Sequence, residues 1–98
     1  MAEIHPKRIK IQGRYWTLTT ADIPGYDGLV DNHSKAVRKH LWINKKLKGK
    51  ALLSTILHEL LHIIEPRWSE EAVLELENDL AEILWNLGYR STDLGDED

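Results

Sequence analysis

From Ala51 to Ile64 the chain reads ALLSTILHELLHII, fourteen residues without glycine or proline, and Pro66 closes the run. Such a segment is expected to fold as a helix, because nothing interrupts it and proline stops it just beyond its end. Its apolar residues, Ala51, Leu52, Leu53, Ile56, Leu57, Leu60, Leu61, Ile63 and Ile64, lie almost all round. A helix of that kind is expected at the centre of a core rather than on its surface. Within it His58-Glu59-Leu60-Leu61-His62 is an H-E-x-x-H pattern. Residues four apart share one helix face, so both imidazoles can approach one ion, and Glu59 can act as general base on a water beside it.

The chain around this helix is short. Ninety-eight residues make one domain with a single modest core. Cysteine is absent, so a metal site must use histidine and carboxylate. The first residues, MAEIHPKRIKIQG, lack the apolar centre of a signal peptide, and no run is long enough for a membrane span. The expectation is a soluble cytoplasmic protein with no membrane partner. A net charge of −3, with basic residues spread from Lys7 to Lys50 and an acidic C-terminus, is read first as an ordinary solvated surface.

Before the helix the pattern changes to that of strands. Residues 1–6 read as a loose leader, with Pro6 blunting any early strand. From Lys7 to Thr20, Ile9 and Ile11 alternate with Lys10 and Gln12, followed by Tyr15, Trp16, Thr17, Leu18 and Thr19. This is a strand or hairpin, with Gly13-Arg14 as its bend. A turn cluster, Ile23 to Gly28, leads to a short strand at Leu29-Val30-Asp31. After Asn32-His33-Ser34 another strand is expected from Ala36 to Ile43, then a basic connector from Asn44 to Lys50. Gly49 is the only N-cap candidate before the helix, and a weak one.

A second helix follows. Ser69 suits its N-cap, Glu70 and Glu71 suit the positive end of its dipole, and Gly88 suits its C-terminal stop after Leu87. The tail STDLGDED, residues 91–98, is polar and acidic and is expected to be disordered. The resulting fold class is α+β: a small antiparallel or mixed N-terminal sheet of about three strands packed on two C-terminal helices, all within residues 1–90.

A catalytic zinc needs a third protein ligand and an open position. His5, His33 and His40 all precede the motif, whereas the second helix offers carboxylates. Val73, Leu76, Leu80, Ile83, Leu84 and Leu87 form its apolar arc, and Glu77 falls inside that arc. A carboxylate facing a core is costly unless paired or bound to a metal, so Glu77 is the first choice as third ligand. Glu70, one heptad earlier on nearly the same face, is the rival, although its place at the helix start also explains it. A rim glutamate reaching solvent is the plain alternative for Glu77. Asp79 is a candidate acceptor for the outward nitrogen of a ligand histidine.

HELLH on an apolar helix, followed by a glutamate-bearing helix, resembles the gluzincin group of zincin metallopeptidases. The short length resembles the minigluzincins and related small phage-type metallopeptidase domains. The likeness covers roughly residues 26–88, including the strand, turn, strand and connector of GLVDNHSKAVRKHLWINKKLKGK before the motif. It implies Zn2+ as cofactor, with His58, His62 and Glu77 as metal ligands and Glu59 as catalytic base and acid. It also implies a peptide or protein substrate lying extended along an edge strand, for which Ala36 to Ile43 is the expected choice. SprT-like domains place a third histidine after the motif, and this chain has none there. Larger gluzincins carry a downstream tyrosine or histidine for the oxyanion, a role only Tyr89 could take.

Two other readings stand beside the peptidase. One keeps the zinc without catalysis, as a latent enzyme or interaction module, with the acidic tail Asp96-Glu97-Asp98 as a possible occupant of the cleft. The other is nucleic-acid binding, the weaker alternative, through Lys35, Arg38, Lys39, Lys45, Lys46, Lys48 and Lys50 around Trp42. Trp16, Trp42, Trp68 and Trp85 are expected to fill the core and shield its margins.

Overall fold

The computed structural model describes residues 6–31 and 39–90. The expectations for the start of the leader, for residues 32–38 and for the acidic tail lie outside these residues. The chain runs through β1 (Lys7–Ile11), β2 (Arg14–Ala21), β3 (Gly28–Asp31) and β4 (Lys39–Asn44), then α1 (Gly49–Ile64) and α2 (Glu70–Asn86). The α+β class is as expected: one mixed sheet and two helices. The sheet has four strands because Lys7 to Thr20 is a full hairpin. Gln12 and Gly13 turn it, with φ of 51° and 80°, the positive pair that matches the twist of two paired strands.

The sheet order is β1-β2-β4-β3. β1 and β2 are antiparallel, β2 and β4 parallel, and β4 and β3 antiparallel. β4 is therefore central, with both hydrogen-bonding edges in use, which corrects its expected role as the edge strand. The edge on that side is β3.

Alternation along the strands separates two faces. Leu18, Leu41 and Ile43 point to α1 and form the buried core with Leu52, and Ile9, Val30, Ile56, Leu60 and Ile63 pack against it. α1 is less enclosed than its composition suggests. Only Leu52 and Leu61 are buried, and Ile64 is exposed. The described elements are too few to surround a helix on every side.

α2 begins at Ser69, whose Oγ accepts the Ala72 N–H at 3.1 Å. It ends with Tyr89 N–H to the Leu84 carbonyl and Gly88 N–H to that of Trp85, with Gly88 at φ 93°. This paired termination needs a left-handed residue, so the expected stop at Gly88 is correct. α1 starts at Lys48 with no side-chain cap. The two helices run antiparallel: Lys50 near the start of α1 pairs with Glu82 near the end of α2, and His62 near the end of α1 meets Glu70 at the start of α2. No helix among the described residues is long and apolar enough to cross a membrane.

Candidate metal centre

His58 and His62 lie one turn apart on the face of α1 that meets α2. Their Nε2 atoms are 3.1 Å apart and their rings meet edge to face. The acid that reaches both nitrogens is Glu70. Its Oε1 lies 2.8 Å from His58 Nε2 and its Oε2 3.0 Å from His62 Nε2. These three residues form the cluster of potential metal ligands among the described residues.

Glu77 sits on the other side of the same histidine. Its Oε1 is 2.6 Å from His58 Nδ1, and its Oε2 accepts the Ser54 hydroxyl hydrogen bond. The carboxylate side chain is only 12% exposed, against 59% for Glu70. The cost of placing an acid in the apolar arc of α2 is thus offset by two hydrogen-bond partners on α1. A carboxylate that accepts from a histidine Nδ1–H leaves Nε2 with its lone pair, the arrangement that usually backs a metal-binding histidine. Glu77, the first choice as third ligand, meets His58 Nδ1, the kind of contact considered for Asp79, which is exposed; Glu70, the rival, is the acid within reach of both Nε2 atoms.

Spacing provides a fit test. Ligands about 2.05 Å from a tetrahedral zinc lie about 3.3 Å from each other. The two nitrogens, 3.1 Å apart, are close to that value; each meets a different oxygen of Glu70, at 2.8 and 3.0 Å, and one donor atom from each of the three residues lies within 4.8 Å of the others. Two neutral imidazole nitrogens and one carboxylate are also the right chemistry, so the donor set suits zinc.

Glu59 points into a cleft of about 420 Å³ lined by Asp27, Gly28, Thr55, His58, Glu59, His62, Leu74 and Glu77. Desolvation raises its pKa above the ordinary 4.5, against the pull of the neighbouring His58 and His62, while Glu70 and Glu77 add to the rise. Gly28, the first residue of β3, packs directly on it. A Cβ at that position would stand 2.9 Å from Glu59 Cγ and 3.3 Å from the Trp42 carbonyl oxygen, so only glycine leaves the carboxylate where it is.

Asn44 holds this approach in register. It is 9% exposed, and its Nδ2 donates to the carbonyls of Ile23 at 3.0 Å and Tyr26 at 2.9 Å. Its backbone N–H donates to Asp27 at 2.7 Å. The turn that delivers Asp27 and Gly28 to the cleft is thereby tied to the end of the central strand. Neither Gly28 nor Asn44 stood out in the sequence. The turn cluster was visible, but its contact with Glu59 comes only from sheet topology. Tyr89, the oxyanion candidate, is 62% exposed past the end of α2 and does not line the cleft.

Comparisons with protein-family models, curated proteins and solved structures return no match for this chain.

Proposed function

We propose that the protein is a zinc-dependent metallopeptidase of the gluzincin-like type, with His58, His62 and Glu70 as metal ligands and Glu59 as general base. The observation that carries the reading is the joint convergence of the two Nε2 atoms and the Glu70 carboxylate, with Glu77 on the back of His58. A structural pair of buried histidines would not need an open cleft on the same side as a half-buried glutamate.

Bound zinc would supply Lewis acidity, lowering the pKa of a water towards neutrality and polarising a peptide carbonyl. Glu59 takes the water proton and delivers it to the leaving amine. Glu77 and Ser54 keep the His58 ring in one orientation. The substrate is an extended peptide laid along the outer edge of β3, where backbone groups can add a strand and where Gly28 brings the chain beside Glu59.

The test is cleavage of a broad peptide library by the zinc-loaded protein and by Glu59→Gln. The reading expects cleavage to fall by about 10²- to 10⁴-fold in Glu59→Gln with zinc content unchanged. Equal inertness of both proteins, each holding zinc, would move the assignment to a non-catalytic zinc-binding interaction module.

A further inference from the structure

The sheet has a second face that the catalytic reading does not use. The pairing registers place Arg8, Thr17, His40 and Asp31 in one row across β1, β2, β4 and β3, with Lys10 and Tyr15 in the row on one side and Thr19, Trp42 and Leu29 in the row on the other. Residues alternating with these point to α1: Leu18, Leu41 and Ile43 are buried in the core. α1 packs on that inner face with α2 against α1, and among the described residues no helix packs on the outer one. Tyr15 is 53% exposed there.

The composition of this face is specific. The Arg8 guanidinium lies 3.9 Å from the centre of the Tyr15 ring, and Lys10 approaches the same ring at 5.4 Å. His40 is stacked on Trp42 with centroids 5.2 Å apart and planes within 15°. Two flat aromatic platforms, each layered with a cationic or protonatable group, thus stand on one uncovered surface. Trp16 is the partner of Lys39, so Tyr15 and Trp42 are four residue steps, about 13 Å, apart along the strands.

We infer that this outer face binds unpaired single-stranded nucleic acid, with bases stacking on the Tyr15 and Trp42 platforms and phosphates met by Arg8 and Lys10. Stacking rings accept any base through its π-face, and the cations supply the complementary charge. An exposed four-stranded sheet carrying aromatic side chains is also a geometry that presents such rings to splayed bases. A duplex keeps its base faces stacked inside and cannot use them, which favours the single strand. The inference is independent of the metallopeptidase reading, since none of these residues lines the cleft.

The experiment is fluorescence anisotropy of the full chain with fluorescein-labelled twelve-nucleotide oligo(dT), oligo(U), a duplex of equal length and an abasic twelve-mer with the same phosphates. Saturable binding to oligo(dT) or oligo(U), weakened about tenfold or more on the duplex and on the abasic strand, is expected, and the two single strands separate DNA from RNA as the source. Tyr15→Leu and Trp42→Leu should each weaken binding by about tenfold, while Arg8→Gln and Lys10→Gln should each lower the salt dependence by about one counterion. Circular dichroism reports whether each variant keeps its fold. If Trp42→Leu does not fold, the exposed Tyr15→Leu and the abasic strand still decide. The inference is overturned if the abasic strand or a poly-glutamate peptide binds as tightly as oligo(dT). Absence of saturable binding to both single strands at low salt would also overturn it.

Discussion

Glu77 shows what a single residue's burial can and cannot reveal. Its position in an apolar arc marked it as an acid with a partner, and the structure supplies partners in His58 Nδ1 and the Ser54 hydroxyl. Burial alone does not say whether that partner is an ion or a side chain. Glu70 carried the opposite signal: an exposed acid at a helix start is adequately explained by the dipole, which left it the rival rather than the first choice. Gly28 was legible only as a turn residue. Its contact with Glu59 makes it a positioning residue, and Gly28→Ala should force the Glu59 side chain to shift. Peptide cleavage by this variant is expected to fall by at least about tenfold at unchanged zinc content. Full activity in Gly28→Ala would show that the cleft tolerates displacement of its base.

At the scale of elements, the two helices were readable with boundaries within about two residues, because proline, serine and glycine punctuate them at the right places. The hairpin was readable from alternation around Gly13. Sheet order was not, since alternation says which face a residue takes but not which strand lies beside which. That is why Ala36 to Ile43 was expected at the edge and the described part of it, β4, lies at the centre. The register between α1 and α2 was likewise hidden, because it depends on how tightly residues 65–69 turn, and a slip of one heptad exchanges Glu70 for Glu77.

Ser69 fixes one end of that register by capping α2 immediately before Glu70. Ser69→Ala should lower unfolding stability by about 1 kcal/mol, measured by denaturant titration of the metal-free protein, and should weaken zinc binding as the first turn frays. The other end is held by Lys50 and Glu82. The hydrogen bond from Lys50 holds the Glu82 carboxyl below its ordinary 4.5, with Asn86 adding to it. A folded-state pKa depressed in this way contributes stability above the unfolded value of 4.5 and loses it as pH falls through the folded value. Glu82→Gln should therefore melt slightly below the native chain at pH 7, and the gap should close as pH falls through the folded-state pKa. Both side chains are about half exposed, so the gap should be small and should shrink with added salt. A gap that widens on acidification would contradict the pairing.

For the whole molecule, the limit is size. With few fully buried side chains and an apolar helix that its neighbours only partly cover, the fold gains from any ligand that joins α1 to α2. Zinc at a thousand times its Kd adds about 4 kcal/mol by mass action. Melting should therefore rise by well over 10 °C between chelator and saturating zinc. The tryptophans reflect the same economy of core. Trp16 is buried, Trp68 is 43% exposed and Trp85 lies under Arg90 at 3.3 Å, so only one of these three fills the interior. The direct measurement is zinc affinity and stoichiometry by competition with a chromophoric chelator for the native chain, Glu70→Ala and Glu77→Ala. The native chain should bind one zinc, Glu70→Ala should lose it, and Glu77→Ala should still bind one zinc about 10- to 100-fold more weakly. Native affinity in Glu70→Ala, or a folded native chain that binds no zinc, would contradict the assignment of His58, His62 and Glu70 as the metal centre.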